Sequence, residues 1–175
     1  MLVNTFCAAV NGLEVTTVKV EVSMTRGVQF HLTGLADTAV RESYDRIRAA
    51  LQNNGLKMPM MDITANLSPA DIKKEGSGYD LPLAIGILAA SGKVDGSRLN
   101  DYMMVGELGL DGRLQPIRGA LPIAIRARAE HFKGLIVPKQ NIREAAVVNQ
   151  IEVYGMETLI DVANFFNGSS EIAPT

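Results

Sequence analysis

One stretch near the middle of the chain is apolar on almost every side. Residues 81–90 read LPLAIGILAA, so a helix formed here has no face to turn toward water. Such a helix must be buried, and a chain of 175 residues is long enough to enclose it. Asp80 predicts the N-cap, Pro82 is tolerated in the first turn, and Gly92 predicts a left-handed cap at the end.

The first half of the chain has the pattern of antiparallel strands. Residues 2–10 and 13–24 are joined by Asn11-Gly12, a dipeptide that favours a two-residue hairpin because both positions adopt positive φ. Alternation over residues 28–32 predicts a third antiparallel strand. Residues 38–53 follow with helical spacing, and residues 61–67 alternate again as a fourth strand.

The second half alternates short strands with helices. Strands are predicted at residues 102–105, 134–138 and 151–154, and helices at residues 141–148 and 156–166. Asp111-Gly112 predicts a tight hairpin, and Pro116 to Gly119 opens a further helix. This order implies parallel βαβ crossovers, so the chain predicts an α/β fold with a mixed sheet.

Composition excludes several classes of protein. The net charge of −2 gives no global basic field to attract nucleic acid, and no apolar run approaches the roughly 20 residues of a membrane helix. The single cysteine, Cys7, cannot form an internal disulfide; we expect it to be buried in the first strand of a cytoplasmic protein. His31 has no partner at ligand spacing, so it predicts a solvent-facing residue and no metal site.

The loop before the buried helix is polar and glycine-rich. A loop that enters a helix N-terminus is a common place to bind an anion or to position a nucleophile. A carboxylate at Asp80 opposes anion binding because it occupies the positive end of the helix. The candidate anion-binding residues are Lys74, Glu75, Gly76, Ser77, Gly78 and Asp80.

Sequence motifs leave one nucleophilic option. The chain has no phosphate-binding GxxxxGK[ST], and no CxxC, HExxH or GxSxG. Ser77 could act with Lys73 or Lys74 only if one lysine were desolvated and lay within hydrogen-bond reach. Two adjacent lysines beside Glu75 predict solvated, charged side chains, so no catalytic residue is predicted and Ser77 is the remaining candidate.

Basic side chains occur on the predicted helix over residues 38–53, on the loop before the buried helix (the central loop) and after Pro116. They are interpreted either as a solvated face with four-residue pairs such as Glu42 to Arg46, or as a surface that contacts phosphates. The nucleic-acid candidates are Arg41, Arg46, Arg48, Lys73, Lys74, Arg118, Arg126 and Arg128.

Three segments in order resemble a known family. Residues 34–51, 66–92 and 105–122 resemble the N-terminal domain of the YifB/ComM family of magnesium-chelatase-like AAA+ ATPases, and less closely the proteolytic domain of Lon. The resemblance covers nearly the whole chain. It implies a two-layer α/β sandwich over residues 1–166, of the Lon proteolytic-domain and ribosomal-protein second-domain type. Residues 167–175 are then a linker toward a downstream AAA+ domain that lies beyond this sequence.

The comparison with Lon bears on catalysis. Lon carries a serine in the run that enters the buried helix and a lysine shortly after a P-I-G-G run. Gly78 stands at the serine position here, with Ser77 one residue early, and Leu121 stands at the lysine position. The resemblance therefore implies that this domain is not an enzyme.

The family also implies a function. The expectation is a non-catalytic domain that aids hexamer assembly or DNA engagement during DNA branch migration and competence. Its partners would be its own AAA+ domain, sister subunits and DNA. ATP and Mg²⁺ would bind the downstream domain, with no cofactor in this one. The alternatives are a degenerate serine peptidase that uses Ser77, and an anion-binding module built on the Lys74–Asp80 loop.

Overall fold

The computed structural model of the chain describes residues 1–169 and 172–175. The strands are β1 (Leu2–Asn11), β2 (Glu14–Thr25), β3 (Phe30–Thr33), β4 (Asp62–Ser68), β5 (Tyr102–Met104), β6 (Glu107–Leu108), β7 (Leu114–Gln115), β8 (Gly134–Pro138) and β9 (Glu152–Met156). The α-helices are α1 (Thr38–Arg41), α2 (Ser43–Asn53), α3 (Asp80–Ala90), α4 (Ala120–Ala129), α5 (Ile142–Ala145) and α6 (Leu159–Phe166). Short 3-10 turns occupy Leu99–Asp101 and Lys139–Asn141.

Seven of these strands form one mixed sheet in the order β3-β4-β2-β1-β5-β8-β9. β1 and β4 both pair antiparallel with β2, whereas β5, β8 and β9 join through parallel pairing. β6 and β7 form a separate antiparallel hairpin around Asp111-Gly112. The predicted hairpins at Asn11-Gly12 and Asp111-Gly112 and the parallel crossovers of the second half are confirmed, and the fold is consistent with a two-layer α/β sandwich.

The prediction of a third antiparallel strand is wrong. β3 pairs parallel with β4, with Phe30 opposite Ile63, and β4 lies between β3 and β2. Because α1 and α2 form a crossover between β3 and β4, the chain enters β4 in the direction of β3. Apolar alternation indicates which face of a strand is buried but carries no information about its neighbour, so the sequence pattern missed this pairing.

Helix α3 is buried along its whole length, as its composition predicts. All eleven of its residues are buried, and it packs on β1 and β2. The Thr5 hydroxyl donates to the Pro82 carbonyl at 2.9 Å. At Gly86 an added Cβ would lie 2.7 Å from Val22 Cγ2, so only glycine allows this close approach of helix and sheet.

Several predicted boundaries differ from the structure. The predicted helix over residues 38–53 divides at Glu42 into α1 and α2, with Asp37 as the N-cap of α1. The predicted helix over residues 141–148 is shorter, and Met156 belongs to β9 and not to the last helix. The predicted N-cap at Asp80 is wrong, because Tyr79 takes that position and Asp80 is the first residue of α3.

Predictions for two single residues and for the C-terminal segment can also be compared with the structure. His31 is exposed and Cys7 is buried, as predicted. In the described parts of the chain, no helix is long and apolar enough to cross a membrane. Helix α6 ends at Phe166, and the predicted linker over residues 167–175 includes Ser170 and Glu171, which lie outside the described residues. The linker therefore stays a prediction.

Candidate functional site

A cleft of about 700 Å³ lies beside the loop that enters α3. Its first wall is that loop, and its second wall is the segment before α4. The end of β1 and the residues after β5 complete it. The lining residues are Ala8, Val10, Asp37, Glu75, Gly76, Ser77, Gly78, Tyr79, Val105, Glu107, Pro116, Ile117, Arg118, Gly119 and Ile123. The polar loop and the Pro116–Gly119 segment, far apart in sequence, thus face one cavity.

Backbone hydrogen bonds hold the first wall. Gly76 N–H donates to Asp37 Oδ2 at 3.2 Å, and Gly106 N–H donates to the Gly78 carbonyl at 3.0 Å. Within residues 1–169 and 172–175, the N–H groups of Ser77, Gly78 and Tyr79 have no acceptor. The loop therefore keeps a fixed shape and retains free donors beside the cleft.

A buried asparagine holds the second wall. Asn141 donates from Nδ2 to the Ile117 carbonyl at 2.8 Å and accepts the Ile117 N–H at Oδ1 at 3.0 Å. Gly119 then starts α4 with a φ of 83°, a left-handed conformation that favours glycine. Sequence reasoning missed Asn141, because a single polar residue at a helix start does not reveal a contact 24 positions away.

The charges of the cleft disfavour phosphate. Three carboxylates, Asp37, Glu75 and Glu107, line it together with one cation, Arg118. Asp37 already accepts N–H groups at both oxygens, from Val40 at 2.9 Å and from Gly76. Among the described residues, no group of three or more His, Cys, Asp or Glu side chains could hold a metal ion. An uncharged or cationic group suits this cleft better than an anion does.

The buried carboxylate of Asp80 forms an ion pair with the partly exposed Arg46 directly behind the loop. Asp80 has no exposed surface, and its carboxylate accepts Arg46 Nε at 2.6 Å, Ser43 Oγ at 2.6 Å and Leu108 N–H at 3.0 Å. Burial raises the pKa of Asp80, and the hydrogen bond from Arg46 opposes that shift. The pair and the Leu108 N–H join α2, α3 and β6, so the Asp80 carboxylate is fully engaged within the fold and the Arg46 side chain is left only 19% exposed.

Lys74 is also buried, contrary to the expectation that both loop lysines are solvated. Its Nζ donates to the Gly34 carbonyl at 2.8 Å and to the Pro69 carbonyl. Burial lowers the pKa of Lys74. The expectation holds for Lys73, which is exposed and pairs with Glu75 at 3.2 Å. The two adjacent lysines therefore differ in solvent exposure, although their sequence context predicts the same solvated state for both.

Ser77 lines the cleft, and among the described residues no basic side chain is hydrogen-bonded to its hydroxyl. In the described part of the chain, Lys74 Nζ bonds to two carbonyls and not to the Ser77 hydroxyl. A Cβ added at Gly78 would meet only Ile117 at 3.6 Å, so packing does not require glycine there. Cys7 lies nearby, but burial raises the pKa of its thiol to about 12, which keeps it protonated.

The nucleic-acid candidates fall into three groups. Lys74 is buried, and the Arg46 side chain is only 19% exposed and pairs with Asp80, so neither presents a free cation to a phosphate. Arg126 is half-buried and pairs with Glu130 at 2.6 Å. The exposed members are Arg41, Arg48, Lys73, Arg118 and Arg128, which lie on α1, α2, the central loop and the α4 region.

Comparison with known proteins identifies relatives over most of the chain. The family model for subunit ChlI of Mg-chelatase matches residues 20–141. Competence protein ComM of Haemophilus influenzae is 43% identical over 162 residues, which cover 92% of this chain and 32% of that protein. The uncharacterized protein YifB of Escherichia coli is 41% identical over 139 residues, which cover 79% of this chain and 27% of that protein.

Similarity to a protease is weaker. Lon protease 2 of Bacillus subtilis is 27% identical over 179 aligned residues, which cover 87% of this chain and 32% of that protein. The chain spans about a third of the length of the relatives it matches. The matched segment contains the loop before α3 and the Pro116–Gly119 segment, the two walls of the cleft. The chain therefore belongs to the ChlI family of magnesium-chelatase-like proteins, with ComM and YifB among its relatives.

Proposed function

We propose that this chain is a non-catalytic domain of a magnesium-chelatase-like ATPase, and that it helps the ATPase to assemble or to engage DNA. The named relative is a competence protein, which fits a role in handling incoming DNA. ATP and Mg²⁺ would bind a further domain of the same protein, because this chain has no phosphate-binding GxxxxGK[ST]. Sister subunits and that further domain would be its partners in a hexamer.

The observation that carries the non-catalytic role is the position of Lys74 Nζ. A serine–lysine dyad needs the amine within hydrogen-bond reach of the hydroxyl. Here the desolvated amine belongs to Lys74, and the carbonyls of Gly34 and Pro69 hold it. Ser77 is left with a hydroxyl of ordinary, low nucleophilicity, and Gly78 offers no side chain.

We expect a serine-reactive fluorophosphonate to leave the native chain unlabelled. Without a base to remove its proton, the Ser77 hydroxyl should react no faster than a free serine. Intact-mass spectrometry after incubation measures the label, and the Ser77→Ala variant gives the background. Labelling of the native chain that Ser77→Ala abolishes would restore the serine-peptidase alternative and overturn the non-catalytic role.

For DNA engagement, the exposed candidates are Arg41, Arg48, Lys73, Arg118 and Arg128, and the arginines of α1 and α2 are tested first. We expect the 175-residue chain to bind duplex DNA at low salt, with an affinity that falls as salt rises. Log affinity falls as log salt rises, and each phosphate contact removed should make this slope shallower by about 0.9. Fluorescence anisotropy of the Arg41→Glu and Arg48→Glu variants tests this, with exposed Arg143→Glu as the control.

Two results would distinguish the two proposed roles, DNA engagement and assembly of the ATPase. A loss of slope in both test variants but not in Arg143→Glu supports DNA contact through α1 and α2. Absence of binding at low salt contradicts DNA contact and leaves the assembly role. That role predicts that the full-length protein forms a smaller fraction of hexamer when this domain is deleted, as measured by sedimentation velocity.

A further inference from the structure

The sheet ends at β9, which is paired with β8 on one side. The Glu152 N–H donates to the Lys133 carbonyl, so the backbone groups of Glu152 face the β8 side. Because successive residues of a strand direct these groups to opposite sides, the Val153 carbonyl faces the outer edge. A strand edge with free donors and acceptors is a template for pairing with another chain.

Residues after α6 reach this edge. Thr175 N–H donates to the Val153 carbonyl at 2.8 Å, and Ile172 is half-buried against the hydrophobic core. The start of this path is anchored, because Asn167 accepts the Asp95 N–H at 2.7 Å and donates to the Lys93 carbonyl at 3.1 Å. The described residues 172–175, the edge segment, are thus attached to the domain by side-chain packing and by a backbone hydrogen bond.

Pro174 of the edge segment lies at a position where a missing N–H is tolerated. If the segment lies extended along β9, the N–H of Thr175 faces β9 and position 174 faces away from the sheet. Pro174 has no N–H to present on that outer side. Proline is tolerated in a sheet where its missing N–H faces solvent, and there it prevents a further strand from pairing.

We propose that the edge segment docks on β9 as an added strand and shields this edge from pairing with a second copy of the chain. The inner side of the segment supplies the donor at Thr175, its side chain at Ile172 packs on the core, and its outer side is closed by Pro174. This role concerns the edge of the sheet and is independent of the cleft and of DNA binding.

Two variants of the 175-residue chain test the docking. Thr175→Pro removes the donor, whereas Thr175→Ala keeps it and serves as the matched control. We expect NMR hydrogen exchange of the Thr175 amide to be at least about tenfold slower in the native chain than in urea, because a hydrogen-bonded amide is protected. Thr175→Ala should retain a through-hydrogen-bond coupling from residue 175 to the Val153 carbonyl. Thr175→Pro should shift the Val153 carbonyl resonance.

A truncation tests the shielding. We expect a chain that ends at Gly168 to self-associate more strongly than the native chain in sedimentation velocity. The Val153 and Gly155 amides of the truncated chain should become more protected as its concentration rises. The native chain and Thr175→Ala should show no such concentration dependence. A native Thr175 amide that exchanges at the unfolded rate overturns the docking, and a truncated chain with no concentration-dependent protection at β9 overturns the shielding.

Discussion

Replacing Arg46 by methionine should destabilise the domain by about 3–5 kcal/mol, the usual result of leaving a buried charge without its partner. The Asp80 carboxylate has no exposed surface, and Arg46 supplies its charge-assisted hydrogen bonds at 2.6 and 3.0 Å. Methionine keeps much of the length of the arginine stem but donates nothing. The free energy of unfolding, measured with urea, gives the loss directly.

Arg48→Met is the matched control, because Arg48 lies on the same helix but is exposed. We expect it to change the free energy of unfolding by no more than about 0.5 kcal/mol. Equal effects of the two substitutions would mean that the Asp80–Arg46 pair does not stabilise the fold. A double variant that also replaces Asp80 by leucine should recover part of the loss, since it removes the orphaned charge.

The deficit of Arg46→Met should also depend on pH. Burial raises the pKa of Asp80, and the hydrogen bond from Arg46, which the variant lacks, is the main effect that opposes this shift. A carboxyl whose folded pKa is raised binds its proton more tightly in the folded state, so stability is lost as pH rises through that pKa. The difference between Arg46→Met and the native chain should therefore be largest near neutral pH and shrink toward the ordinary pKa of aspartate.

The second large effect is expected at Lys74. Lys74→Met should cost about 2–4 kcal/mol, because the Gly34 and Pro69 carbonyls each lose a donor in a buried site. These carbonyls follow β3 and β4, so the ammonium joins the ends of two neighbouring strands to the loop. Urea unfolding should show a lower midpoint with little change in the slope.

Lys73→Met provides the control for Lys74, one position away in the same loop. Lys73 is exposed and its pair with Glu75 is of the surface type, which contributes little. We expect this substitution to stay within about 0.5 kcal/mol of the native chain. If Lys74→Met were equally harmless, the contacts of Lys74 with the two carbonyls would have no structural importance.

Local patterns predicted much of the architecture. The two Gly-containing dipeptides at residues 11–12 and 111–112 mark the two hairpins, since their backbone conformations are decided within the turn itself. The apolar composition of α3 predicts its burial, because no face of that helix can meet water favourably. The position of β3 beside β4 was missed, since strand partners are chosen by chain crossovers and not by alternation.

At the candidate site too, some features follow from the sequence and others depend on tertiary contacts. The polar loop before α3 is recognisable from the sequence, and the structure places Glu75 to Tyr79 of this loop along a cleft, whereas Lys74 and Asp80 bind elsewhere in the fold. The sequence could not show which partners the polar and charged residues around the cleft bind. Asp80 resembles a helix cap but binds Arg46, and the partner of Ile117 is Asn141, 24 positions away.

By itself the sequence determined the element types, the buried helix and the family, because these depend on short-range patterns of residues. Only the tertiary structure decided that Lys74 is buried and Arg46 pairs with the buried Asp80, while Lys73 and Arg48 are exposed. Residues of the same type a few positions apart differ because the solvation of a charge depends on what the rest of the chain packs against it. Those contacts form only when distant segments meet.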